Sequence, residues 1–143
     1  MASFLTTIGL SSSIGQILSN ASQQVGIVSP YIRLSDRATD RIRSADQAGK
    51  ELLVVYGKND LPSDTQAVFS TLDNLTLCYL ADLHAKCFFN EHELILSTMN
   101  LYAFSEKNNR EMGVRIPREE GPLYNDVLQE VRSILQSAET QNI

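Results

Sequence analysis

The sequence predicts an α/β protein: a mixed, largely parallel sheet flanked by helices on both faces. Three observations carry that expectation. Over the first half, short apolar runs rich in Val, Ile and Leu (Gln24–Ser29, Glu51–Tyr56, Leu75–Leu80) alternate with stretches whose apolar residues recur at helical spacing. Such alternation builds crossover units whose strands run parallel and are covered on both faces. Next, Leu83–Ser97 reads as two strands joined by a tight polar turn, and this antiparallel hairpin makes the sheet mixed. Finally, 143 residues with 43% hydrophobic and 20% charged content suit one domain, residues 1–143, able to bury a substantial core without staples.

Taken in order, Phe4–Leu5 opens the fold. The cluster Ser11-Ser12-Ser13 is expected to cap a helix reaching about Ser22, with Ile14, Ile17, Leu18 and Ala21 toward the core. Gln24–Ser29 is a buried strand stopped by Pro30. Ser35 is the expected N-cap of a helix through Ala48, with Ala38, Ile42 and Ala45 along one side and Gly49 as its stop. Arg33, Arg37, Arg41 and Arg43 lie in and just before this helix, interleaved with Asp36, Asp40 and Asp46. That pattern suits a solvated face laced with ion pairs, or a rim that steers a polyanion.

Glu51–Tyr56, β-branched and bounded by Gly49 and Gly57, is the clearest strand. Gly57–Asp60 turns, and Pro62-Ser63 opens a helix to about Leu72. Leu75–Leu80, the hairpin, a polar excursion from Tyr102 to Arg110 and a strand Glu111–Ile116, ended by Pro117, come next. A last helix from about Leu123 to Ala138 should bury Leu123, Val127, Val131, Ile134 and Leu135, leaving Glu139–Ile143 frayed.

The formal net charge of −5 argues against a broad basic surface for nucleic acid, though a small basic cleft fits an acidic body. Cys78 and Cys87 both sit in apolar runs and read as buried, reduced thiols rather than a disulfide framework or a metal site. No metal and no cofactor is predicted. The first basic side chain is Arg33, so the N-terminus does not read as a secretory signal, and no run approaches the ~18 apolar residues of a membrane span. The expectation is a cytoplasmic protein with no integral membrane segment.

Leu83–Asn100 carries the chemistry. A period of two over Leu83–Phe89 puts His84, Lys86 and Phe88 on one face and Leu83, Ala85, Cys87 and Phe89 on the other. A strand able to carry more apolar residues instead carries an imidazole and an ammonium. Its partner strand delivers Ser97, Thr98 and Asn100 at the exit. Lys86 can hold a phosphate oxygen, and Thr98 and Asn100 can donate hydrogen bonds to others. His84 can attack phosphorus or shuttle a proton. Glu111, at the start of the next strand, is a candidate to accept a hydrogen bond from the far ring nitrogen of His84 and fix its tautomer. Tyr31, Tyr102 and Phe104 are candidates either for stacking on a base or for packing. Asn108 and Asn109 are candidate loop formers.

Leu83-His-Ala-Lys86, Ser97-Thr-Met-Asn100 and Asn108-Asn-Arg-Glu111 together resemble the signature of the phospholipase D superfamily: His-x-Lys, a downstream Asp, Gly-Ser-x-Asn, then an Asn/Glu element. The resemblance extends from Ile27 to Ile116. It implies a phospholipase D-like αβα sandwich, a histidine that forms a covalent phosphohistidine, and phosphodiester cleavage without a metal. By this resemblance His84, Lys86, Asn100 and Glu111 are catalytic, and Lys86, Ser97, Thr98 and Asn100 bind the substrate phosphate. This chain departs from the pattern in having Asn90 or Glu91 at the Asp, Ser97 at the Gly and Thr98 at the Ser.

The family's site uses two His-x-Lys motifs, and this chain has one; His92 is not followed by Lys two residues on. A homodimer is therefore implied, each chain contributing His84, Lys86 and Asn100. The expected function is that of a metal-independent phosphodiesterase, nuclease or nuclease-like. Its substrate would be a nucleic acid or another phosphodiester. The alternatives are a catalytically weak or inactive phosphate-binding or nucleic-acid-binding module of the same fold, or a phospholipase.

Overall fold

The computed structural model describes residues 1–102 and 109–143; Phe104 and Asn108 lie outside the described residues. Strand β1 (Ser3–Thr6) leads directly into helix α1 (Thr7–Asn20), followed by β2 (Gln24–Val28) and the short β3 (Ile32–Arg33). Helix α2 (Asp36–Gln47), β4 (Glu51–Tyr56), α3 (Ser63–Phe69) and β5 (Leu75–Tyr79) complete the alternating half. The hairpin β6 (Cys87–Asn90) and β7 (Glu93–Ser97) follows, then β8 (Leu101–Tyr102) and β9 (Met112–Pro117). After a 3₁₀ turn at Arg118–Glu120, α4 (Pro122–Ser137) leads into β10 (Glu139–Gln141).

Eight strands form one sheet in the order β1-β9-β7-β6-β2-β4-β5-β10, while β3 and β8 make a separate parallel pair. The sheet is mixed, as expected. Its parallel pairing is confined to β2–β4 and β4–β5, the neighbours joined by helical crossovers; every other pair in it is antiparallel. One face packs under α1, α2 and α3: Leu10, Ile14, Ile17, Ala38, Ile42 and Phe69 close over Ile27, Val54, Leu77, Phe88 and Ile95. The other face meets α4 through Tyr124 and Val131.

A single cross-strand row on that second face shows how unevenly it is covered. It runs Phe4, Val114, Leu96, Cys87, Val28, Val55, Cys78, Thr140 in register across all eight strands. Cys87, Val28, Val55 and Cys78 are buried. Phe4 is 65% exposed, Leu96 and Val114 are exposed beside it, and Met112 is 58% exposed. α4 covers the middle of the sheet and leaves its β1-β9-β7 end bare. Cys87, in the covered part, has its thiol pushed up to about 12 by burial, so it is inert at neutral pH.

Local signals placed α2 and β4 well. Ser35 Oγ accepts from the Ala38 amide at 3.1 Å, and Gly49 leaves the helix with φ +78°, where a side chain would be strained. Gly26 has a different reason. A Cβ there would stand 2.1 Å from the ring of Phe89, its cross-strand partner on β6.

Four expectations are corrected. Ser11-Ser12-Ser13 lies inside α1, not at its cap, because the start of α1 is set by a tertiary clasp. The Glu111 amide donates to Thr7 Oγ1 at 2.8 Å, and that hydroxyl lies 3.2 Å from the Glu111 carbonyl. Leu123 is exposed, and Tyr124 takes the buried place, its hydroxyl donating to the Asn90 carbonyl at 2.8 Å. Glu139–Gln141 is not frayed but pairs with β5. Asp46 does not serve the arginines. It turns inward to accept from the Asp73 and Asn74 amides, at 3.0 and 2.8 Å, and so clamps the loop before β5.

Candidate active site

The sheet register brings the end of β2, the start of β6, the end of β7 and the start of β9 to one edge of the fold. Val28 sits opposite Cys87, Cys87 opposite Leu96, and Ser97 opposite Gly113. One step beyond these pairs stand Ser29, Lys86 and Thr98, and Glu111 lies two residues before Gly113. Leu83–Lys86 is not a strand, contrary to expectation; β6 begins at Cys87. Its neighbour β2 ends at Val28 and departs through Ser29-Pro30, so no ladder partner exists for the residues before Cys87 on that side. Buried Leu83 anchors the segment, and its amide donates to the Leu80 carbonyl at 3.1 Å. His84 and Ala85 are exposed, and the Lys86 carbonyl accepts from the Ser97 amide at 3.2 Å.

Lys86 is half-buried. Burial pushes its ammonium below the ordinary lysine range and the nearby Lys58 adds to this, while Glu111 opposes both. Depressed lysine titration means that the fold disfavours the charged form, so the penalty is present at neutral pH and is relieved as pH rises through the folded value. Lys86→Met is therefore expected to raise the thermal midpoint slightly at pH 7. The gain should shrink at strongly alkaline pH, and a lower midpoint at pH 7 would count against the assignment.

Thr98 and Glu111 form a unit. The Thr98 hydroxyl donates to Glu111 Oε1 at 2.9 Å and accepts from the Met112 amide at 3.1 Å, and the Thr98 amide donates to the Met112 carbonyl at 3.1 Å. With Thr7 holding its backbone, Glu111 is fixed at both ends. The expected His84–Glu111 hydrogen bond is not formed; Glu111 Oε1 accepts from Thr98 instead. Among the described residues His84 makes no side-chain hydrogen bond.

Asn100 accepts through Oδ1 from the Tyr31 amide at 3.3 Å, with Ser29 Oγ also at 3.3 Å. Its NH₂ group makes no hydrogen bond among the described residues and keeps both donors for a ligand. Ser97 is placed differently: its Oγ accepts from the Met99 amide at 2.6 Å and donates to the Met99 carbonyl at 3.1 Å. The hydroxyl closes a turn instead of facing a ligand.

The site also depends on residues that sequence reasoning did not single out. Ser29, fully buried, accepts from the Leu101 amide at 3.0 Å and donates to the Tyr31 carbonyl at 2.8 Å, holding β8 and the Tyr31 turn together under Asn100. Thr7 holds Glu111, and Lys58, at φ +69°, adds positive charge beside Lys86. Only the Ser29-Pro30 pair gave any local signal. Tyr31 and Tyr102 line a hollow of about 80 Å³.

Asn90 and Glu91, the two positions matching the family's Asp, turn the hairpin at the opposite end of β6, about 13 Å from Lys86 at the usual strand rise. Buried Asn90 donates to the Ile17 carbonyl at 3.1 Å and accepts from the His92 and Glu93 amides at 2.8 and 3.1 Å. An aspartate there could accept but not donate to Ile17. The Glu91 carboxylate accepts from the Ser22, Gln23 and Gln24 amides. Burial pushes its titration up, but these amides outweigh burial and hold it below the usual range. A depressed carboxylate stabilises above its unfolded value, near 4.3, and that contribution is lost as pH falls through the folded value. Glu91→Gln should therefore lower stability at pH 7 and flatten its loss on acidification, read by urea unfolding from pH 7 to 3. Exposed His92 sits 3.1 Å from Ser22 Oγ in the same turn. No group of three or more His, Cys, Asp or Glu able to hold a metal occurs among the described residues. No helix among them is long and apolar enough to cross a membrane.

No family model and no curated protein matches the sequence. Solved structures match its fold. NucT from Helicobacter pylori superposes with a TM-score of 0.83 at 17% identity, over 99% of this chain and 99% of that one. Nuc from Salmonella typhimurium, a phospholipase D family member, gives 0.79 at 12% identity over 100% of both chains. The phosphatidylserine synthase of Haemophilus influenzae gives 0.79 at 15% identity, over 98% of this chain and 39% of that one. The chain has the fold of the phospholipase D family member Nuc, the architecture implied by its His-x-Lys and Thr98–Asn100 segments.

Proposed function

We propose that the protein is a metal-independent phosphodiesterase, nuclease or nuclease-like, acting through a phosphohistidine on His84 at a site shared by two chains. The observation that carries this reading is the grouping of Lys86, Glu111, Thr98 and Asn100 at one sheet edge, beside an exposed imidazole with no side-chain hydrogen bond among the described residues. In the reaction His84 attacks phosphorus, forming a P–N bond as the P–O bond to the leaving group breaks. The partner's His84 gives that oxygen its proton. The same partner histidine then takes a proton from water, whose oxygen attacks phosphorus and releases His84. Lys86 and Asn100 of both chains balance and position the phosphate oxygens. Thr98–Glu111 acts as a rigid floor.

Pairing is supported by the bare sheet face. Phe4, Leu96, Val114 and Met112 are contiguous and exposed, and Met112 adjoins Glu111 in sequence. A second copy seated there would cover apolar surface and bring its own His84 to the same edge. A second reading, a weak or inactive phosphate-binding module, draws on the Thr98–Glu111 bond, which leaves His84 without an orienting carboxylate.

The test is hydrolysis of DNA, RNA and a generic phosphodiester in excess chelator, with mass measured by sedimentation. Chelator-resistant turnover by a dimer, and its loss with dimerisation in Val114→Lys, are expected. Loss of activity on chelation, or full activity in a monomer, would refute the proposal. Binding with neither turnover nor a trapped His84 adduct would favour the module, and a trapped adduct would rule it out.

A further inference from the structure

We propose that the groove between α1 and α2 seats phosphates of a nucleic-acid strand whose scissile diester lies at His84. The inference rests on the phosphodiesterase reading of that site and names a polymer as its substrate. Helix α1 runs away from the site: Thr7 holds Glu111, Ser11 Oγ one turn on contacts Met99 Sδ at 4.0 Å, and Gly15 one turn further faces Arg41. Beside it lies a polar groove of about 340 Å³, lined among others by Ser11, Ser12, Gly15, Arg37, Arg41 and Leu101. Leu101, which directly follows Asn100, lines the groove, so one end of it lies beside the segment that carries the site.

Arg37 and Arg41 are four residues apart and share one side of α2. Among the described residues neither has a carboxylate oxygen within 4.0 Å, whereas Arg33 pairs with Asp64 at 3.5 Å. Asp46, the acid that might have answered them, is turned into the loop before β5. Asp40 and Lys50 line the continuation beyond Arg41. Gly15 explains why the guanidinium reaches the groove floor: a Cβ there would stand 1.8 Å from Arg41 Nη1. Glycine is a poor residue for a helix interior, and here it admits a cation.

From Thr7 to Gly15 is about 12 Å along the helix at 1.5 Å per residue. A second cationic seat at that range suits a chain of successive phosphates. A phospholipid carries its one diester to His84 and has nothing to place there.

The test is binding of a fluorescent single-stranded 12-nucleotide DNA in chelator, in a His84→Ala background, across a salt series. Arg37→Gln and Arg41→Gln are each expected to weaken binding about fivefold to tenfold at 0.1 M salt, and to reduce the slope of log K against log salt by about 0.7. Arg43→Gln, which removes the same charge from an exposed position outside the groove, should change neither. Gly15→Ala retains the charge, suits a helix better and displaces the guanidinium, so it should also weaken binding. Unchanged slopes in Arg41→Gln and Gly15→Ala, or an equal effect of Arg43→Gln, would overturn the groove. Since hydrolysis is not read, the two proposals fail separately. Groove-dependent binding by a chain that cleaves nothing refutes catalysis alone, and diester cleavage with unaltered slopes refutes the groove alone.

Discussion

His84→Ala is expected to lower kcat/KM for a phosphodiester by at least about 10³-fold while leaving the thermal midpoint unchanged. The size follows from removing the proposed nucleophile, for which Lys86, Thr98 and Asn100 would offer no substitute. The silence in stability follows from the structure, since His84 is exposed and makes no side-chain hydrogen bond among the described residues. Nothing in the core leans on it. A role in folding would show the reverse, a lowered midpoint with activity falling in proportion to unfolded chain. Steady-state kinetics in chelator with a parallel thermal melt separates the two, and an active His84→Ala protein would remove the histidine from the mechanism.

Phe88→Ala should have the largest effect on stability, about 3–5 kcal/mol. Phe88 is 0% exposed and sits in β6 between Ile27 of β2 and Ile95 of β7, within the cluster closed by α1. Deleting the ring empties the space where the sheet meets that helix, and strands on both sides are too tightly paired to close it. The thermal midpoint should fall by roughly 10–20 °C, and the urea midpoint with it at nearly constant m. A loss below about 1 kcal/mol would mean that α1 can settle onto the sheet, contradicting the packing described. Turnover at low temperature should largely survive in the folded fraction, because Phe88 belongs to the core cluster under α1 and is not one of the candidate site residues.

The contrast between these two residues reflects what the sequence made legible. Helix α2 and strand β4 were readable because their determinants are adjacent in the chain: Ser35 caps, Gly49 stops, and the apolar run of β4 needs only to be buried. The limit of Leu83–Lys86 was not, since a strand extends only as far as its neighbour, and β2 turns away at Pro30. Tyr124 displaced Leu123 because its hydroxyl finds a carbonyl on β6, a contact remote in sequence. The motif resemblance named His84, Lys86, Ser97, Thr98, Asn100 and Glu111, but not how they are bonded. Thr98 takes the carboxylate drawn earlier to His84, and Ser97 bonds Met99. Ser29 and Thr7 went unnoticed because a buried serine or threonine has no pattern of its own.

The two outermost strands of the sheet, β1 and β10, come from the two ends of the sequence. Each is short, four and three residues, and each satisfies a ladder of backbone groups on a longer neighbour. They act as seals on β9 and β5. A chain trimmed to begin at Thr7 would present β9 with an open row of N–H and C=O groups beside Val114 and Met112, a template for intermolecular strand addition. Such a chain is expected to aggregate, with rising thioflavin fluorescence on storage, well before its helices melt.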